Sequence, residues 1–190
     1  MIILLSPAKT LDFSPNKTEA TAAPIFRKES KALIDQLNKH STKDIEKLMK
    51  VSKKIATLNV ERYKNYSTRF TKNNSKAALL TFDGGVYKGL NASEFNASQM
   101  KFAQAHVRIL SGLYGILRPL DSLQAYRLEM GTKLKNEHGK DLYDFWGDKI
   151  TKQINKDFKN SKLKWIVNLA SNEYFKSVKQ DQLEGEIITP

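Results

Sequence analysis

The sequence predicts one α/β domain over residues 1–190, a mixed sheet flanked by helices. Three observations predict it. The chain opens on the apolar run Met1-Ile-Ile-Leu-Leu, of strand length, and a second such run covers residues 165–169. Between them, apolar residues recur every three or four positions, as on one face of a helix. No repeat, low-complexity stretch or linker divides the chain, and its length suffices for one full core.

The elements follow in order. Residues 1–5 read as a buried strand and residues 6–12 as the loop after it, with an irregular stretch over 15–24. Helical patterns cover 26–39 and 42–58, the second opened by Ser41 with Asp44 three residues on, a capping-box spacing. A short helix follows near 60–66. Residues 77–82 read as a strand, and Asp83-Gly84-Gly85 as a turn leading to Val86 and Tyr87. Ser98 is placed to cap a long helix with Phe102, His106, Ile109, Leu113 and Ile116 on one face, stopped by Pro119. A helix over 143–158, the strand at 165–169, a helix from Ser171 through Val178 and a strand at Ile187-Ile188 complete the pattern.

Composition bounds the function. The chain has no cysteine, which excludes disulfides, thiolate metal sites and cysteine nucleophiles. No apolar run has the length of a membrane span, and the N-terminal run lacks the basic flank of a signal peptide, so a cytoplasmic location is expected. A formal charge of +12 favours a polyanionic partner. Residues 43–76 hold ten Lys/Arg and three Asp/Glu, a net +7. Lys43, Lys47, Lys50 and Lys54 step by 4, 3 and 4 along one helical face, and Lys149, Lys152, Lys156 and Lys159 repeat the arrangement. One such stripe is ordinarily a solvated face; two on one basic domain suit a phosphate-tracking surface.

Three further segments each leave two readings open. In residues 6–12, Lys9 contacts a phosphate, or Ser6 and Thr10 hydrogen-bond the loop and Asp12 pairs with Lys9; without glycine the loop is no Walker-type cradle. Gly112 and Gly115 lie inside an apparent helical pattern, each at about 1 kcal/mol against alanine. They mark a close packing contact, or a hairpin whose amides meet a phosphate beside Arg118. After the second apolar run, Ser171 and Asn172 are good caps, and Lys176 and Lys179 could reach a cleft at the end of the sheet. His40, His106 and His138 have no ligand spacing, so no metal site is expected; Asp141, Asp144 and Asp148 could cluster around a divalent ion but read better as decoration of a helix start.

Residues 1–12, 110–121, 126–131, 141–148 and 168–178 together resemble the YaaA family of bacterial peroxide-stress-resistance proteins. The resemblance runs the length of the chain. It implies a cytoplasmic protein that limits intracellular iron under peroxide stress and binds duplex or distorted DNA in a positively charged cleft. It also implies an unusual α/β fold carrying a helix-hairpin-helix element, which the glycine pair would match, and it brings no catalytic residues. Gly85 stands where the family usually has an acid. Family members continue past position 190, so a C-terminal part of the sheet is expected to be absent here.

The expected function is therefore DNA binding of low sequence specificity by a monomer, without cofactor. The expected contacts are Lys9, Lys43, Lys47, Lys50, Lys54, Gly112, Gly115, Arg118, Arg127 and Lys176. The alternative is an enzyme acting on a phosphate-bearing metabolite or nucleic acid through a Lys9/Asp12/Arg127/Glu129 pocket. A weaker third reading, a protein-binding module, would expose apolar rather than basic patches.

Overall fold

β1 (Ile2–Leu5) lies at the centre of a five-stranded sheet and pairs in parallel with a strand on either side. The computed structural model describes residues 1–158 and 163–190. After β1 come β2 (Thr10–Leu11) and then α1 (Arg27–Leu37), α2 (Thr42–Met49) and α3 (Lys53–Lys64). β3 (Lys76–Ala77), α4 (Ala78–Thr81), β4 (Phe82–Asp83), α5 (Gly85–Leu90) and α6 (Ala97–His106) follow. β5 (Val107–Ser111), β6 (Gly115–Leu117) and β7 (Ser122–Leu123) precede α7 (Leu142–Trp146) and α8 (Lys149–Asp157). β8 (Trp165–Asn168), α9 (Asn172–Phe175) and β9 (Glu186–Ile188) close the chain. The sheet order is β6-β5-β1-β8-β9, with only the β5–β6 pair antiparallel. The expected single α/β domain with a mixed, helix-flanked sheet is what forms.

Burial explains the strand runs. Leu4, Ile109, Leu110 and Ile166 are fully buried, as strands between two covered neighbours require. Two minor ladders, β2–β4 and β3–β7, tie the loops after β1 and before α7 to the middle of the chain. Among the described residues no helix is long and apolar enough to cross a membrane.

Five expectations are corrected. The helix over 98–116 ends at His106: Asn96, not Ser98, caps it by accepting the Gln99 amide, and Val107 onward is strand. Arg108 inside that strand makes the run look amphipathic, yet its guanidinium is buried and paired with Asp157 of α8 at 2.6 Å. Residues 42–58 are two helices, divided where Lys50 turns left-handed at φ 51°. The separate helix expected at 60–66 is the end of α3. Residues 143–158 are likewise two helices, broken at Gly147, φ 51°. Residues 77–82 are a helical turn between two short strands, and Val86 and Tyr87 lie in α5.

Candidate nucleic-acid interface

The sequence builds the basic surface around the α2–α3 turn. Ser41 and Asp44 form the expected capping box: the Ser41 amide donates to Asp44 Oδ2 at 3.0 Å, and the Asp44 amide to Ser41 Oγ at 3.3 Å. The Ser41 hydroxyl, then its amide, hold the Asp44 carboxyl below the usual carboxylate range. Ile45 anchors α2 in the core. Lys50 ends α2, and Ser52 caps α3 by accepting the Ile55 amide. Lys43 and Lys47 therefore stand on α2, Lys50 in the turn and Lys54 on the first turn of α3, all exposed. Lys53 joins them; helical spacing misses it, because a continuous helix would turn it off the stripe.

Among the described residues none of these five lysines has a carboxylate within 4.0 Å. Lys53 and Lys54 occupy the positive end of the α3 dipole, and no acid in the first turn offsets them. An anion seated at the turn relieves that repulsion.

The second stripe differs. Ile150, Ile154 and Phe158 are fully buried, as its apolar face required. Of its lysines, Lys152 pairs with Asp148 at 2.6 Å and Lys149 lies over the Phe145 ring. Lys156 is exposed, and Lys159 lies outside the described residues.

The glycine pair belongs to the interior. Gly112 and Gly115 sit in the β5–β6 hairpin, both buried. A Cβ on Gly112 would come 2.2 Å from the Leu128 carbonyl oxygen, and one on Gly115, φ +67°, 2.7 Å from the Trp146 ring. No helix-hairpin-helix forms at these glycines, and protein fills the space beside both: close packing explains them. Arg118 beside them donates from Nε to Asp121 Oδ1 at 2.9 Å and from its amide to Oδ2 at 2.9 Å. Asp121 is fully buried; burial raises its pKa while the Arg118 contacts lower it. Arg118 is thus a clasp on its own loop.

Three of the four residues of the alternative pocket converge. Glu129 lies between Arg127 Nη2 at 2.7 Å and Lys9 Nζ at 3.4 Å, beside a cavity of about 60 Å3. The cavity lies beyond the carboxyl ends of β1 and β8, where ligands of open α/β sheets bind. Arg127 Nε is buried without a hydrogen-bond partner. Asp12 faces away. It accepts the Ser14 amide at 2.7 Å, which chiefly lowers its pKa, and pairs with Lys76 at 3.5 Å. Proximity in the sequence groups Lys9 with Asp12; β2, lying between them, directs them to different sites.

Ser171 is the residue before α9, but its side chain does not cap the helix. Its amide donates to Ser6 Oγ at 2.9 Å, joining the two loops beside the cavity. Lys176 is exposed and lies 5.0 Å over the Tyr143 ring. His40 and His106 each engage a backbone carbonyl through Nδ1. No group of three or more His, Asp or Glu side chains gathers among the described residues.

Comparison with known proteins agrees with the motifs. The family model described as peroxide stress protein YaaA matches residues 1–190. A UPF0246 protein of Saccharophagus degradans is 52% identical over 191 residues, covering 100% of this chain and 75% of its own length. UPF0246 proteins of Janthinobacterium sp. and Aliivibrio fischeri are 51% and 50% identical, again over the whole chain and 74% of theirs. The chain belongs to the YaaA family of peroxide stress proteins.

Proposed function

We propose that this peroxide stress protein binds DNA through its sugar–phosphate backbone, with little sequence preference. The observation that carries the reading is the group of five exposed lysines around the α2–α3 turn, none paired with a carboxylate among the described residues. Phosphates laid across the turn would meet Lys43, Lys47, Lys50, Lys53 and Lys54, with Lys9 and Lys176 as outlying contacts. Gly112 and Gly115 have no place in this surface. Arg118, Arg127 and Lys9 are engaged with carboxylates and contribute less than the five turn lysines. The protein acts as a cytoplasmic monomer, and its effect on intracellular iron runs through DNA protection, expression or another protein.

The test is fluorescence anisotropy of duplex DNA across a salt series. Log affinity should fall linearly with log salt, with a slope near −0.9 per phosphate contacted. Absence of binding at low salt would refute the reading.

A second reading is favoured by Arg127 Nε, whose buried N–H lacks an acceptor. A phosphate-bearing small molecule at the Lys9–Glu129–Arg127 site would supply one. Saturable binding of inorganic phosphate, lost in Arg127→Gln and kept in a Lys50/Lys53/Lys54 variant, would establish that site.

A further inference from the structure

Three concavities beside β2, β3 and β4 run into one another. The first has about 430 Å3, within the range of about 300–1,000 Å3 typical of small-molecule sites. It shares Ser14, Asn16 and Lys76 with the second, which shares Ala20, Phe70 and Ser122 with the third. The loop over residues 12–27 borders all three.

Their charges differ in a way that separates ligand chemistries. In the first, Lys76 and Lys88 balance Asp12 and Asp83, each lysine paired with one carboxylate, at 3.5 and 3.4 Å. The second has Lys72, paired with Glu19, and Lys76, already paired with Asp12, so it too holds no free cation. The third has Arg27 and Arg69 and no carboxylate, and neither arginine has an acidic partner within 4.0 Å among the described residues.

An anion gains little in a balanced pocket and much beside two free guanidinium groups. The first concavity instead suits a neutral, flat ligand rich in donors and acceptors. Leu79, Leu80 and the Phe82–Tyr87 ring pair, centroids 5.4 Å apart, give it apolar lining. Asn16, Asn91 and Ser93 offer both donors and acceptors. Lys76 is nearly buried at 11% exposure, and its ammonium spends one hydrogen bond on the Asp12 carbonyl at 3.0 Å.

We propose that the first concavity receives one unpaired nucleobase of a DNA strand whose phosphates lie along the third, the second lying between them. This rests on the DNA-binding reading and names the DNA that reading prefers: a strand with a base already out of its stack, for which extrusion costs least. Phe13 and Phe70, lining the second concavity, offer aromatic surface to a neighbouring base.

The experiment compares three labelled duplexes that differ at one position: fully paired, carrying a bulged adenosine, and carrying an abasic bulge. The base-bearing bulge should bind roughly tenfold tighter than the abasic one, a modest value for stacking one base. Ser93→Trp, at the exposed edge of the concavity, should abolish that difference and leave affinity for the paired duplex unchanged. Lys76→Gln should reduce it, with circular dichroism confirming the fold of both variants. Arg27→Gln with Arg69→Gln should weaken all three duplexes alike.

Equal binding of the two bulges overturns the inference and leaves the DNA-binding reading standing. Failure to bind any duplex at low salt overturns both. Free deoxyadenosine binding as tightly as the bulge, and blocked by Ser93→Trp, makes the concavity a metabolite site and also overturns it.

Discussion

Trp146 donates its indole N–H to the carbonyl of Gly112 at 3.0 Å, and the same ring fills the space that a Cβ on Gly115 would need. One side chain of α7 thus accounts for Gly115, while the Leu128 carbonyl, 2.2 Å from a Cβ on Gly112, accounts for the other glycine of the hairpin. Gly112→Ala and Gly115→Ala should each destabilise the fold by about 1–3 kcal/mol, by overpacking at both positions and by added backbone strain at Gly115. Trp146→Phe, which removes the hydrogen bond and part of the ring, should cost at least about 1 kcal/mol. Urea unfolding measures all three, and DNA affinity of the folded fraction should not move.

The Arg118–Asp121 clasp predicts a stability defect rather than a binding defect. Arg118→Gln removes the guanidinium from a buried carboxylate and leaves it the backbone amide, at a cost of about 3 kcal/mol near neutral pH. Burial already raises the Asp121 pKa above 3.8, and losing Arg118 raises it further. The defect should therefore shrink as pH falls through that raised value and the carboxyl takes up a proton. Denaturant midpoints of variant and parent across an acid series check both the size and the sign.

The lysine turn predicts a change in salt slope. Replacing Lys50, Lys53 and Lys54 together by glutamine should flatten the log affinity against log salt line by roughly 0.9 for each phosphate no longer neutralised. The weakening should be the same for unrelated DNA sequences. A defect confined to one sequence would mean base readout.

Asp44 gives a second pH prediction, from a pKa shift in the opposite direction. Its folded pKa lies below 3.8, so the stability it contributes is complete above the unfolded value and is lost as pH falls through the folded one. Asp44→Asn should lower the melting temperature at neutral pH, and the gap to the parent should narrow below about pH 4. A constant gap would mean that the cap works equally well without its charge.

Particular residues show what can be read from sequence. β1 and β8 are legible because a strand buried on both faces is apolar throughout. β5 is not: Arg108 breaks its apolar run, and only the fold brings Asp157 of α8 to neutralise it. The same holds for the basic surface. Lysine spacing locates it, but the left-handed Lys50 that splits the stripe between two helices is set by local backbone geometry, without a glycine to mark it. Lys9, Glu129 and Arg127 meet across more than a hundred residues of chain, and Arg27 and Arg69 stand out because neither has an acidic partner among the described residues. Such relationships become visible only when the sheet is assembled.

The position of β1 has a consequence for synthesis. Both its neighbours, β5 and β8, are made much later, the second only once residue 168 has been added. At about 5–20 residues per second, β1 waits on the order of ten seconds or more for β8. Until β5 is made both edges of this apolar segment are unpaired, and until β8 is made one still is, open to association with other nascent chains. Protection of this segment early in translation, rather than the stability of the finished domain, should limit how much folded protein a cell obtains.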